Sequence, residues 1–219
     1  MKIIAFAAQK GGVGKTTIAI NVAVCATSLG IKTALFDLDP QESATAWSER
    51  RKAELPHVEP LSTRRLKEGL AAAETQGFQL AIIDTPPAQG DQAHTAAELA
   101  DLVIVPCRPS LVDLDAIQAT GRLLKNTTTP GLVVLNAAPP TATQLIVDAR
   151  TIAAATGMQV ASIVIRERSA FRSAWPNGQG VTEYEPAGKA AREIGELTHM
   201  VLDAVQLCTN APVQKRRSA

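Results

Sequence analysis

Residues 9–17 read Gln9-Lys10-Gly11-Gly12-Val13-Gly14-Lys15-Thr16-Thr17. The segment follows an apolar run, Ile3–Ala8, and precedes a helix-like stretch over residues 16–29, which is the strand–loop–helix context of a phosphate-binding loop. Glycines let the backbone turn sharply and direct its N–H groups at phosphate oxygens, and the helix N-terminus adds partial positive charge. We therefore predict a phosphate site, rather than a glycine-rich turn that only connects a strand to a helix.

The two lysines of this loop have different expected roles. Lys15 is expected to neutralise the β- and γ-phosphates of a nucleotide, and the Thr16 hydroxyl to bind Mg²⁺. A loop that held only its own nucleotide would gain little from Lys10, a second lysine at the front of the turn. The residues predicted to contact the nucleotide are Gly11, Gly12, Val13, Gly14, Lys15, Thr16 and Thr17.

Short apolar runs alternate with helix-like stretches along the chain. The predicted strands are Ile3–Ala8, Thr33–Phe36, Leu80–Ile83, Leu102–Pro106, Leu132–Leu135 and Val160–Ile165. The predicted helices are 16–29, 42–53, 64–75, 93–99, 113–125, 141–155 and 187–207. Continuous apolar strands are typical of a sheet that is covered on both faces. The pattern predicts a single-domain α/β P-loop NTPase, with a mainly parallel twisted sheet covered by helices on both faces.

Length and composition agree with one such domain. The chain has 219 residues, 46% of them hydrophobic, and a net charge of +1 from 22 basic and 21 acidic side chains, which excludes a disordered or collagen-like chain. We expect the domain to span 1–209 and a basic, disordered tail to span 210–219. Cys25, Cys107 and Cys208 show no CxxC spacing, which favours buried thiols in a reducing cytosol. No apolar run approaches the roughly 20 residues of a membrane span, and no signal peptide is recognisable, so we expect a cytoplasmic protein.

The pattern Lys10–Thr17, KGGVGKTT, resembles the deviant Walker A loop of the ParA/MinD family of P-loop ATPases. The resemblance covers most of the chain and is strongest for short, single-domain, plasmid-type ParA proteins. Residues 36–41, Phe-Asp-Leu-Asp-Pro-Gln, match switch I, and residues 82–87, Ile-Ile-Asp-Thr-Pro-Pro, match Walker B and switch II. It implies ATP or ADP with Mg²⁺ as ligands, and an ATP-bound homodimer in which Lys10 reaches the phosphates of the partner subunit.

The resemblance also implies roles for four further residues. Asp84 would hold Mg²⁺ through a water molecule, because a Walker B aspartate at a strand's carboxyl end lies beside the P-loop. Asp39 would orient the attacking water, and Asp37 would support the second shell of the metal; the alternative for both is a turn residue or a helix cap. Asn136 would contact adenine, although an asparagine after a strand is also a common turn former.

Family members differ in what the ATP-bound dimer contacts. Between residues 166 and 192 there are five basic side chains against three acidic ones, whereas residues 1–165 have 14 basic and 15 acidic side chains. This bias favours phosphate contacts in the C-terminal quarter, although each arginine could instead lie on an ordinary solvated face. The residues predicted to bind DNA are Arg166, Arg168, Arg172, Lys189 and Arg192.

The function expected from this resemblance is ATP-dependent DNA partition, that is, plasmid or chromosome segregation. Nonspecific DNA of the nucleoid and a centromere-binding protein that stimulates hydrolysis are the implied partners. One alternative is a ParA-like positioning ATPase for a protein cargo, and a second is a MinD-like membrane-associated division-site regulator. We expect no membrane partner, because Val213 is the only bulky apolar residue after Leu207. The cysteine positions also disfavour the branch of the family that carries metal clusters.

Overall fold

Seven parallel strands form the sheet of the computed structural model, which describes residues 1–87, 91–125 and 127–207. The strands are β1 Lys2–Phe6, β2 Thr33–Asp37, β3 His57–Pro60, β4 Leu80–Asp84, β5 Leu102–Cys107, β6 Gly131–Ala138 and β7 Gln159–Arg166. Their order in space is β3-β2-β4-β1-β5-β6-β7, and each neighbouring pair is parallel. The central strands β2, β4 and β5 are buried along their whole length, as their continuous apolar runs predict. The predicted fold class is confirmed.

Helices pack on both faces of this sheet. The helices are α1 Lys15–Ser28, α2 Ser43–Ser48, α3 Leu66–Thr75, α4 Asp91–Leu99, α5 Leu111–Lys125, α6 Thr143–Ala154, α7 Ser169–Ala174, α8 Val181–Tyr184 and α9 Lys189–Ala204, with 3₁₀ turns at Thr63–Arg65 and Trp175–Asn177. One apolar layer contains α1, α8 and α9, and the other contains α3 to α6. Successive residues of β1 alternate between the layers: Ile4 and Phe6 belong to the first and Ala5 to the second.

The structure differs from the predicted elements at short segments. Strand β3 has no counterpart in the prediction, because its four residues lie at the sheet edge, are at most half-buried and include the polar His57 and Glu59. Helix α2 ends at Ser48 rather than at residue 53, since the N–H groups of Arg50 and Arg51 bond to carbonyls three residues back and tighten the turn. Helices α7 and α8 have six and four residues, too few to produce a helical period.

Two of the three cysteines lie in the described part of the chain. Cys25 and Cys107 are buried free thiols. Burial and, to a smaller extent, Asp113 raise the pKa of Cys107 to about 12, against an opposing effect of Lys10. Such a thiol is not ionised at neutral pH and behaves as a small hydrophobe. Cys208, the predicted tail 210–219 and the domain boundary at residue 209 lie outside the described residues.

The parallel sheet brings the candidate site residues to one edge. All strands point the same way, so the segments that follow β1, β2, β4, β5, β6 and β7 emerge together at the carboxyl edge of the sheet. The glycine-rich loop follows β1, the central strand, and therefore lies between the segments that follow its two neighbours. The fold thus places residues from the ends of five other strands around the loop that follows β1.

Candidate nucleotide site

The backbone of the P-loop requires glycine at two positions. Gly12 and Gly14 adopt φ values of +75° and +93°, in the left-handed region that side chains with a Cβ rarely adopt. Gly14 precedes α1, and its carbonyl accepts the first bond of that helix from the N–H of Ile18 at 3.0 Å. A Cβ on Gly14 would also lie 2.2 Å from Nδ2 of Asn136. The loop therefore aims the free N–H groups of the first turn of α1 at the site, as phosphate binding requires.

The side chain of Asn136 is hydrogen-bonded to the P-loop. This side chain is buried, and Nδ2 donates a hydrogen bond of 2.7 Å to the carbonyl of Val13. The next residue, Ala137, has φ +49° within an irregular stretch of the β6–β7 pairing, which is a strained conformation for a residue other than glycine. The amide group of Asn136 thus bonds to the loop in this structure, and the adenine contact of Asn136 stays a prediction.

Lys15, Thr16 and Asp84 meet at the start of α1. Lys15 is buried, and this burial lowers the pKa of its ammonium despite the nearby carboxylates of Asp84 and Asp39. Asp84 is completely buried, and its pKa is raised to about 7, mainly by this burial. The negative charges of Asp37 and Asp39 contribute to the rise, whereas the Thr16 hydroxyl and Lys15 oppose it. Within the described part of the chain, neither carboxylate oxygen of Asp84 accepts a hydrogen bond of normal geometry.

This donor set fits a magnesium ion. A buried carboxylate without a protein partner is costly unless a cation compensates it, and Mg²⁺ prefers carboxylate and hydroxyl oxygens together with water. Thr16 and Asp84 are the residues that would hold the ion, directly or through water. Bound there, the ion would supply positive charge to the phosphate oxygens.

Switch I contains two aspartates with different contacts. Oδ1 of Asp37 accepts from the N–H of Asp39 at 3.2 Å, and Oδ2 accepts from the N–H and hydroxyl of Thr45 at 3.0 and 3.2 Å. Asp37 therefore fixes the loop to the start of α2, and its role near the metal stays a prediction. Asp39 lines the nucleotide cavity, and its Oδ1 accepts from the N–H of Gln41 at 3.0 Å. This position allows the predicted contact of Asp39 with water at the phosphates.

Lys10 is not among the residues that line the nucleotide cavity. Its ammonium forms an ion pair with Oδ1 of Asp113, in the first turn of α5, and its side chain is 41% exposed. Asp113 is only 5% exposed, and its Oδ2 accepts a hydrogen bond of 2.5 Å from the Ser110 hydroxyl. Burial alone would raise the pKa of Asp113, but Lys10 and Ser110, with a smaller effect of Arg108, hold it below its ordinary value.

The cavity over the P-loop has a volume of about 550 Å³. One side is formed by the loop and switch I, and the other by the carboxyl ends of β6 and β7 and by the segments that follow β5 and β7. The residues on this other side include Arg108, Asn136, Arg166, Arg168, Phe171, Arg172 and Trp175. Arg108 was not among the site residues predicted from the sequence, although its position directly after β5, at the carboxyl edge of the sheet, is a signal that could have identified it.

The five residues predicted to bind DNA do not share one environment. Arg166 donates to the carbonyls of Pro139 and Pro140 at 3.0 and 3.1 Å, and Arg168 forms an ion pair with Glu193 that raises its pKa. Arg172 is 76% exposed and lies 3.6 Å from Glu167. Lys189 and Arg192 are exposed on α9 and have no acidic partner among the described residues. Arg166, Arg168 and Arg172 line the nucleotide cavity. The DNA contacts of all five residues stay predictions.

Comparison with known proteins identifies the family. The model of the CobQ/CobB/MinD/ParA nucleotide-binding domain matches residues 4–181, so this chain belongs to that family, and the resemblance to ParA/MinD proteins is confirmed. The protein is a nucleotide-binding ATPase of the P-loop class. Proteins of this family dimerise and interact with partner proteins.

Three proteins illustrate the similarity of this chain to members of the family. The chain is 33% identical over 195 residues to the maintenance of carboxysome distribution protein A of Gloeobacter kilaueensis, covering 88% of both chains. It is 34% identical over 143 residues to the chromosome-partitioning ATPase Soj of Thermus thermophilus, covering 52% of this chain and 57% of that protein. The septum site-determining protein MinD of Pyrococcus horikoshii, complexed with Mg-ADP, shares the fold with a TM-score of 0.71 and 21% identity, over 91% of this chain and 95% of that chain. No helix among the described residues has the length and apolar character that crossing a membrane requires.

Proposed function

We propose that this ATPase positions a cargo along DNA: it dimerises with ATP, binds DNA of any sequence as a dimer, and leaves the DNA after hydrolysis. The observation that carries the proposal is the placement of the two lysines. Lys15 lines its own nucleotide cavity, whereas Lys10 lies outside the lining and is held by Asp113. A lysine in a phosphate-binding motif that does not face its own site is available to a second subunit.

The proposed mechanism gives each of these residues a step in hydrolysis. The ammonium of Lys15 and the N–H groups of the P-loop bind the β- and γ-phosphates. Thr16 and Asp84 would hold Mg²⁺, which would supply positive charge to the phosphate oxygens. The Asp39 carboxylate orients a water molecule toward the γ-phosphorus. As the new P–O bond forms, the bond to the β–γ bridging oxygen breaks, and ADP and phosphate are released. Lys10 exchanges Asp113 for the phosphates of the partner subunit, which makes efficient hydrolysis depend on dimerisation.

Binding to nonspecific DNA of the nucleoid is supported by exposed cations. Lys189 and Arg192 on α9, and Arg172 on α7, can each contact a phosphate, and a dimer would present two copies of each. Phosphate contacts carry no sequence information, so such binding would be equal for all sequences and sensitive to salt.

The first candidate cargo is DNA, a plasmid or a chromosome, moved through a centromere-binding partner protein that stimulates hydrolysis. The match to the chromosome-partitioning ATPase Soj supports this candidate over about half of the chain. A protein assembly is the second candidate. It is favoured by the longer match, over 88% of both chains, to a protein named for the distribution of carboxysomes.

Lys10→Ala tests the dimer mechanism. The variant should bind ATP with the affinity of the wild type, because Lys15 and the loop are intact, yet remain monomeric in light scattering and show no ATP-dependent binding to random-sequence duplex DNA. Wild-type dimerisation and turnover by this variant would contradict the proposal. Deletion of the gene distinguishes the cargoes: loss of a low-copy replicon indicates DNA, and clustering of a fluorescently labelled protein assembly indicates protein.

A further inference from the structure

A second cavity lies on the side of the molecule that carries α2 and α8. Its volume is about 550 Å³, and we call it the basic cleft. One wall is the segment that follows α2, and the other is the turn between α7 and α8. The residues lining the basic cleft are Arg50, Arg51, Lys52, Ala53, Pro176, Asn177, Gly178, Gln179 and Glu183.

The basic cleft has a positive charge that its own residues do not neutralise. Among the described residues that line it, Glu183 is the sole carboxylate, and both oxygens of Glu183 accept hydrogen bonds from the Arg51 guanidinium, at 2.7 and 2.8 Å. Arg50 and Lys52 are exposed, and neither has an acidic side chain within ion-pair distance in the described part of the chain. Arg50 donates from one nitrogen to the carbonyl of Ala46, which leaves the rest of its guanidinium free.

Arg51 makes this basic segment rigid. Its guanidinium donates to the carbonyl of Leu55 at 2.7 and 2.9 Å and to that of Gly178 at 2.9 Å, and lies 5.2 Å from the centre of the Trp47 ring. Gly178 has φ +61°, and a Cβ there would lie 2.4 Å from the backbone N of Arg51, so the two walls approach closely. Arg50 and Lys52 are therefore presented from a fixed backbone, which lowers the entropy cost of binding an anion.

Both walls of the basic cleft begin at the nucleotide cavity. On one wall, Gln41 and Ser43 line the nucleotide cavity, and the chain runs from there through α2 to Arg50. On the other wall, Trp175 lines the nucleotide cavity, and the next residue, Pro176, lines the basic cleft. Asp37 connects switch I to α2 through Thr45, so a change of switch I can move one wall.

We propose that the basic cleft binds the phosphate backbone of duplex DNA, with Arg50 and Lys52 as the contacting side chains. The inference rests on the proposed function, because it adds a further contact surface, besides Arg172, Lys189 and Arg192, to the DNA binding of the ATP-bound dimer. The site recognises phosphate and no base, so its binding is independent of sequence. Its connection to switch I and to Trp175 makes the affinity depend on the nucleotide that is bound.

The test compares two double variants of the full chain. Arg50→Gln/Lys52→Gln removes the free cations of the basic cleft. Arg64→Gln/Lys67→Gln removes two exposed cations beside α3, which packs on the other face of the sheet, and is the matched control. Binding to random-sequence duplex DNA is measured with ATP and with ADP over a salt series, and dimerisation and basal ATP hydrolysis are measured in parallel.

With ATP, the cleft variant should bind DNA at least about tenfold more weakly than the wild type. The slope of the logarithm of its binding constant against the logarithm of the salt concentration should fall in magnitude by up to about 3.6, because each of four phosphate contacts per dimer contributes about 0.9. Dimerisation and basal hydrolysis should equal those of the wild type, and the control should retain its DNA affinity. Exchanging the two cations, Arg50→Lys/Lys52→Arg, should keep most of the binding.

Different results overturn different statements. Wild-type DNA affinity of the cleft variant, or an equal loss in the control, would overturn the role of the basic cleft and leave the proposed function standing. Absence of ATP-dependent DNA binding by the wild type would overturn the proposed function as well. Cleft-dependent binding to phosphatidylglycerol vesicles without binding to DNA would assign the site to a lipid surface and overturn the inference.

Discussion

Two buried carboxylates flank the P-loop, one at the end of β4 and one at the start of α5, and their electrostatics are opposite. Asp84 is completely buried without a hydrogen-bond partner of normal geometry in the described part of the chain, and its pKa rises to about 7. Asp113 is nearly as buried, yet its pKa is held below the ordinary value by Lys10 and Ser110. Burial penalises both charges and dominates at Asp84, where Asp37 and Asp39 add to it. At Asp113 the contacts with Lys10 and Ser110 outweigh it.

This difference in pKa indicates that Asp84 belongs to a binding site, whereas Asp113 belongs to an ion pair that is already formed. The Asp84 carboxylate is costly to ionise until a cation arrives, which makes the site ready for Mg²⁺ with a nucleotide. Asp113 already has a cation, Lys10, and that cation must leave if it is to reach the partner subunit. Under the proposed mechanism, dimerisation has to offset the loss of the Lys10–Asp113 pair, whereas Mg²⁺ binding would relieve the cost at Asp84.

The largest expected effect is on stability without metal, in Asp84→Asn. A carboxyl whose pKa is higher in the folded than in the unfolded state binds its proton more tightly when folded, so the free energy of unfolding falls as pH rises from about 4 to 7. The shift from 3.8 to about 7 corresponds to at most about 4 kcal/mol. Asp84→Asn should remove this decline, as urea unfolding in EDTA from pH 4 to 8 would reveal. Equal pH profiles would show that Asp84 is not the titrating group.

A second expected effect separates metal binding from water activation. Asp39→Ala should lower hydrolysis by about 10²-fold, the scale of one positioned catalytic group, while nucleotide and Mg²⁺ affinity stay at the wild-type level. Asp84→Asn should weaken Mg²⁺-dependent nucleotide binding as well. Calorimetry with a non-hydrolysable ATP analogue, together with phosphate release, measures both quantities. An Asp39→Ala enzyme with wild-type turnover would move the catalytic role to another residue.

A third prediction concerns a variant that removes the Lys10–Asp113 ion pair. Lys10→Ala leaves the Asp113 carboxylate buried with Ser110 as its remaining hydrogen-bond donor, and should lower the free energy of unfolding at pH 7 by about 1–2 kcal/mol, because Lys10 is itself partly exposed. The double variant Lys10→Ala/Asp113→Asn should recover most of this loss, since the uncompensated charge is gone. Urea unfolding of the two variants measures the coupling, and additive losses would refute it.

The sequence was sufficient for the fold because the decisive signals are local. The P-loop and the buried strands are recognisable from neighbouring residues, and Asp84 follows from its place at the end of an apolar run. The Lys10–Asp113 pair depends on how α5 sits relative to β1, which no local pattern encodes. The ion pair between Arg168 and Glu193 also cannot be predicted from a count of basic residues after 165, because Glu193 lies on a helix that begins twenty-one residues after Arg168.

The smallest expected effect concerns Ser110, the second donor to Asp113. Ser110→Ala removes the 2.5 Å hydrogen bond to the carboxylate and should cost about 1 kcal/mol at pH 7. This hydrogen bond helps to lower the pKa of Asp113 in the folded state. It therefore contributes to the free energy of unfolding at pH values above the ordinary pKa of a carboxyl. The contribution is lost as the pH falls through the pKa that Asp113 has in the folded protein. The stability difference between Ser110→Ala and the wild type should therefore shrink in strong acid.

Ser28→Ala is the matched control for this measurement. The Ser28 hydroxyl donates a hydrogen bond of similar length, 2.7 Å, to the carbonyl of Cys25, which does not titrate. Its loss should cost a similar free energy at neutral pH but show no dependence on pH in the acid range. If the two serine variants have parallel profiles, Ser110 contributes a neutral hydrogen bond only, and the lowered pKa of Asp113 must come from Lys10 and Arg108.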